Sequence, residues 1–222
     1  MVLALHGRAG WVRPLAEDRE ALGVGGDGAG ILHPRARFYA GGMQSVRGFA
    51  ENDLGPRVLQ ARHETLIAAG CTDATIADGS CNPTNVPNNL LFPRPVGGSS
   101  VIEGNVELRI PVRKQLGAVA FLDGAYVGVA GIDSPASGKG AVTPGVGLRY
   151  RSPLGVLRLD VGLRPVGHEM LPVVAAVPDG AGGTRIVRLT EEKSYSPVDP
   201  SPGTLRNIGR RLVVHFAMGQ AF

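Results

Sequence analysis

Charge is scarce in this 222-residue chain: Asp, Glu, Lys and Arg together make up 19%, where a soluble domain usually carries about a quarter. The basic residues exceed the acidic ones by four, but they are scattered. With no basic helix and no aromatic RNA-binding motif, nucleic acid is not an expected partner. Long apolar runs are missing too. None reaches the roughly 18 residues that a membrane-crossing helix needs. The apolar start Met1–Leu5 is interrupted by His6 and Arg8, too soon for the core of a signal peptide; if the protein belongs in an envelope, its natural beginning is expected further upstream. Only two cysteines occur, without a CxxC or a His-bearing metal spacing, which argues against a zinc site. GxSxG, HExxH and Walker A patterns are absent. Gly23, Gly25 and Gly28 fit GxGxxG, but no strand and helix flank them, so they read as a flexible loop. The five histidines are dispersed. Neither an enzyme nor a cofactor is expected.

What the chain has is glycine (33), proline (17) and period-two alternation. From Gly104 to Val112, Val106, Leu108, Ile110 and Val112 share one parity, while Asn105, Glu107, Arg109 and Pro111 share the other. Alternate side chains point to opposite faces of a strand, so one face is oily and the other charged. Gly155–Arg164 repeats this, with Leu157, Leu159, Val161 and Leu163 against Arg158, Asp160 and Arg164. Val142–Arg151 sets Val146, Leu148 and Tyr150 against Gly145, Gly147, Arg149 and Arg151. In the last segment Leu212, Val214, Phe216, Met218 and Phe222 oppose His215, Ala217 and Gly219. Val2–Val12 and Leu116–Gly128 complete six strands of about 9–12 residues, roughly the length of a tilted bilayer crossing.

Short and long connections alternate. Arg113–Gln115 and Ser152–Gly155 are tight turns; 13–103, 129–140 and 165–210 are long. Brief turns on one side and long loops on the other are the habit of membrane β-barrels. A soluble sandwich also shows period two, but with its apolar face in a core and strands near 5–6 residues. The expected fold is therefore all-β: the C-terminal portion of an antiparallel transmembrane β-barrel, about six long strands with long extracellular loops. A soluble β-rich binding module is the rival. Within the loops, Cys71 and Cys81 either form a local disulfide in an oxidising compartment or stay free thiols. Leu171–Val177 and Thr184–Leu189 flank a Pro-Asp-Gly turn and read as a hairpin.

The stretch Arg37–Arg57, RFYAGGMQSVRGFAENDLGPR, resembles the signature loop of the BamA/TamA family of outer-membrane assembly barrels, also called bacterial surface antigens. Asn105–Arg109, Ala120–Ala125 and the hairpin Val146–Asp160 resemble that family's following strands, in the family's order. Ala125 stands where the family has glycine. His215–Phe222 resembles its C-terminal β-signal.

The resemblance implies a Gly41, Gly42, Val46, Arg47, Gly48, Phe49 loop folded back into the lumen. Arg47 would meet Glu107, Phe121 and Asp123 there, and Phe216, Gly219 and Phe222 would belong to the seam strand. It implies a Gram-negative outer membrane, lipid contact, and unfolded outer-membrane protein clients whose strands add at the seam. It also implies POTRA domains and N-terminal strands missing from this sequence, so that residues 1–222 are the C-terminal segment of a larger barrel, the favoured reading, or one of several copies that close a barrel together. A two-partner-secretion transporter, or the barrel of a longer patatin-like lipase, is the alternative within that architecture.

Overall fold

In the computed structural model, residues 1–12, 33–129, 138–178, 183–197 and 204–219 are described. The six long strands are β1 (Val2–Trp11), β4 (Ser100–Pro111), β5 (Leu116–Gly128), β6 (Lys139–Ser152), β7 (Gly155–Leu163) and β10 (Leu212–Met218). They form one antiparallel sheet in the order β1-β4-β5-β6-β7-β10. Chain neighbours are sheet neighbours wherever a tight turn joins them. At the β6–β7 turn, for example, Ser152 Oγ donates to Gly155 O at 2.7 Å. Among the described residues the outer edges of β1 and β10 pair with nothing, so the sheet is a barrel-type wall that does not close on itself.

Burial separates the two faces of this wall in the opposite sense to a soluble sandwich. Val106, Ile110, Leu122, Val142, Val146 (61% exposed), Leu148, Val214 and Phe216 (69%) stand uncovered on one face. Glu103, Asn105, Glu107, Asp123, Arg149, Arg158 and Asp160 are buried on the other. Leucine and valine left bare on every strand, opposite carboxylates hidden from water, is the pattern of a wall facing acyl chains. No helix among the described residues is long and apolar enough to cross a membrane, which leaves crossing to the strands.

The long connections carry more structure than the alternation predicts. Residues 13–103 contain β2 (Arg57–Ala61), α1 (His63–Ala68), α2 (Asp73–Ala77) and β3 (Leu91–Pro95). Residues 165–211 contain β8 (Glu169–Pro178), β9 (Thr184–Tyr195) and α3 (Thr204–Arg211). These four strands join in a second sheet, β3-β2-β8-β9, in which β2 and β8 run parallel, the one departure from antiparallel pairing among the described residues. The expected 171–189 hairpin is there and longer.

This outer sheet has its own core. Leu59, Leu66, Ile76, Val86, Leu91, Val173, Ala175 and Leu189 are all buried. Pro93 and Pro95 cannot donate to a ladder, so β3 takes an edge position. α2 starts on a reciprocal cap between Thr72 and Thr75. Cys71 and Cys81 are bonded to each other, with Cys81 in the core. Closing so short a loop is worth about 2–3 kcal/mol. Cys71→Ser with Cys81→Ser should therefore raise protease cleavage within residues 62–90, while the heat resistance of the six-stranded wall, read by gel mobility of unboiled samples, stays unchanged. Gly23–Gly28 and Phe222 lie outside the described residues.

Candidate functional site

The chain between the wall and the outer sheet, residues 38–56, turns back along the inner face of the wall. It is tethered where Phe38 bridges Gly98, and closed on itself where Ala40 bridges Leu54. Gly41 and Gly42 take φ of +102° and +106°, a region costly for any residue with a Cβ. A Cβ on Gly41 would also sit 2.7 Å from Ala50 O. The turn so formed is closed by Gly42 N donating to Phe49 O at 3.1 Å, Phe49 N to Val46 O at 3.1 Å and Gly41 N to Ser45 Oγ at 3.0 Å. Ala40, Val46, Phe49 and Leu54 then pack on Val101, Ala125 and Val127 of the wall. Ala125 fills part of this core.

With Val46 and Phe49 anchored on either side, Arg47 is driven inward, to 1% exposure. Its Nε and Nη2 donate to the two oxygens of Asp123 at 2.7 and 2.9 Å, and its backbone N reaches the same carboxylate at 3.1 Å. Nη1 donates to Glu107 at 2.6 Å and lies 3.6 Å from Asp160. The guanidinium stacks on Phe121, 3.5 Å from the ring centroid. Only a planar, five-donor cation can hold one carboxylate with two donors, reach a second and cover a ring at once. Burial disfavours the charge, but Asp123, Glu107 and Asp160 more than compensate, and the pKa of Arg47 lies above its ordinary value.

Around this centre the carboxylates are shared with wall arginines. Arg109 donates to Glu107 at 2.7 Å, Arg149 to Asp160 at 2.5 Å and Arg158 to Asp160 at 3.0 Å. Arg158 also reaches Met43 O at 3.1 Å, and Ser45 Oγ donates to Glu103 at 2.9 Å. His215 of β10 contacts Arg47 O at 2.9 Å. One turn of loop is thus fastened to β4, β5, β7 and β10.

The sequence expectation placed Glu107, Phe121 and Asp123 around Arg47, and those three side chains touch it. Phe216 lies on the opposite, exposed face of β10, away from the cluster. Gly219 ends β10 with φ of +107°, its N donating to Val156 O at 2.8 Å.

Two features escaped the sequence reading. The first is Gly162, the wall-side partner of the close approach at Gly48. A Cβ on Gly162 would lie 2.3 Å from Arg47 O and one on Gly48 2.4 Å from Thr143 Cγ2. The signal was present: Gly162 interrupts the charged row Arg158, Asp160, Arg164, and a strand glycine marks a close backbone approach.

The second is a network joining the loop, the outer sheet and the strand ends. Arg57 pairs with Asp53 at 2.8 Å and Glu169 at 2.9 Å. Lys139 pairs with Glu169 at 2.5 Å and Arg164 with Asp53 at 2.7 Å, its guanidinium 4.7 Å over Phe49. These residues are 4 to 112 positions apart in the chain, which no local pattern reveals. Both carboxylates keep a second cation if Arg57 is lost. Arg57→Ala should therefore cost about 1–3 kcal/mol, less than an orphaned buried pair. The loss should appear as faster amide exchange in β2 and β8 with little change in β5.

An apolar outer face, a charged inner face and a loop pinned on that inner face by one arginine define the wall of an outer-membrane-type β-barrel. The profile of the Omp85 superfamily domain matches residues 2–170, most of the chain. The chain belongs to the Omp85 superfamily, outer-membrane proteins that insert or secrete other proteins.

Proposed function

We propose that this chain is the C-terminal part of an assembly barrel in the bacterial outer membrane, of the BamA/TamA type, which inserts client β-barrel proteins. The remaining strands and the POTRA domains lie upstream in this reading. Exposed strand edges are not tolerated in lipid, where each unpaired backbone group costs several kcal/mol, so the outer edges of β1 and β10 need strands this sheet does not contain. A client strand adds at the β10 edge by backbone pairing, and its burial supplies the free energy without nucleotide.

The observation that carries the reading is the Arg47 cluster. The motif loop reaches β10 itself, through His215 on Arg47 O. Loop position and seam strand are therefore mechanically joined, and the loop sets how firmly β10 is held.

Reconstitution tests this. Full-length protein in liposomes should accelerate the folding of an added, urea-unfolded outer-membrane barrel, and Arg47→Ala should slow it. Export of a dedicated soluble passenger, with no effect on barrel insertion, would assign the chain to secretion instead.

A further inference from the structure

Helix α3, Thr204–Arg211, is attached to the end of the seam strand and matches no part of the mechanism above. At 3.6 residues per turn, Leu205 and Ile208 fall on one side and Arg206 and Arg210 on another. Leu205 is 85% exposed and Ile208 40%, with Arg206 and Arg210 also exposed. No acidic residue occurs anywhere from Thr204 to Met218. The helix is held at the wall's long-loop end. Arg164 N donates to Arg211 O at 2.8 Å, and Arg211 Nε donates to Arg164 O at 2.7 Å. β10 begins at the next residue, and its Leu212, Val214, Phe216 and Met218 are exposed as Leu205 and Ile208 are.

We infer that α3 is an interfacial anchor. Leu205 and Ile208 enter the acyl boundary continuous with the lipid-facing side of β10, and Arg206 and Arg210 engage the anionic phosphates of lipid headgroups. A short helix with leucine or isoleucine on one side and arginine on the other suits that boundary, and arginine pairs with phosphate through two donors at once. The consequence is positional: headgroup contacts hold the outer end of the seam strand from outside, as His215 holds its middle from inside. The inference rests on the outer-membrane reading.

The test is hydrogen exchange of residues 204–212 in the full-length protein, in nanodiscs of phosphatidylcholine alone and with phosphatidylglycerol added. An arginine near an anionic surface contributes about 1 kcal/mol, so exchange should slow about fivefold per arginine when the anionic lipid is present. The effect should weaken with salt and disappear in an R206Q/R210Q variant. Inorganic phosphate added to phosphatidylcholine discs should not reproduce it. Equal exchange in both bilayers, or slowing that survives in the variant, overturns the inference while protected wall strands leave the barrel intact. Wall strands that exchange freely in both bilayers would overturn both readings.

Discussion

Arg47→Ala should destabilise the plugged wall by about 3–5 kcal/mol, the usual cost of breaking a buried charge pair from one side. Counting charges alone understates the loss. Without Arg47 the cluster still holds Arg109, Arg149 and Arg158 against Glu107, Asp123 and Asp160, a balanced set. Those arginines, however, pair with Glu107 and Asp160. Asp123, with no exposure at all, takes its side-chain hydrogen bonds from Arg47 and is left desolvated without a cation. The variant should lose its heat-resistant gel mobility at a much lower temperature while its strand content, by circular dichroism, stays largely intact.

The same geometry predicts how rescue behaves. Asp123→Asn placed on Arg47→Ala removes the orphaned charge and should recover part of the stability. The charge swap, Arg47→Glu with Asp123→Arg, should rescue less. The new carboxylate would face Glu107 and Asp160, which lie 2.6 and 3.6 Å from the guanidinium it replaces. Arg47→Lys should fall between the parent and alanine, since an ammonium keeps a cation beside Asp123 but offers one point of charge where two carboxylates and a ring are now met. If all four variants melt with the parent, the cluster does not hold the loop.

Gly162→Val should be the second severe lesion. Its Cβ would overlap the carbonyl of Arg47 at 2.3 Å and Gly48 N at 2.8 Å, and both are backbone, so neither can swing aside. Overpacking of this kind costs about 1–3 kcal/mol or more. Here it also lifts the loop off β7 and so loosens the Arg47 cluster. Gly48 faces the side chain of Thr143, with Cγ2 at 2.4 Å and Cβ at 2.7 Å from an added Cβ, so Gly48→Ala should also loosen the loop, and Thr143→Gly, which removes both atoms, should relieve it. A protease site inserted at Met43 reports loop release directly: cut readily in Gly162→Val, slowly in the parent.

The wall was legible in the sequence because its rule is local. Alternation at Glu107, Leu108 and Arg109, or at Arg158, Leu159 and Asp160, needs no knowledge of the partner strand, and the two tight turns fix which strands are neighbours. The outer sheet was not legible for the opposite reasons. β2 and β3 are five residues each, prolines interrupt β3, and β2 pairs in parallel with β8 from the other long loop, a match more than a hundred residues away. The rim network of Arg57, Asp53, Glu169, Lys139 and Arg164 failed to show for the same reason. Gly162 lay within reach, as a missing side chain in a row of charged ones.

The central claim is that the wall's alternate residues face lipid while the charged face is filled by the loop that Arg47 pins. Nitroxides placed one at a time along β10 of the full-length protein in bilayers test it most directly, because Cys71 and Cys81 are bonded to each other and do not take the label. Positions 214, 216 and 218 should be relaxed strongly by oxygen dissolved in the acyl region and weakly by a water-soluble nickel chelate, with 213 and 217 protected from both. Equal accessibility along the strand, or the reverse alternation, would contradict the account.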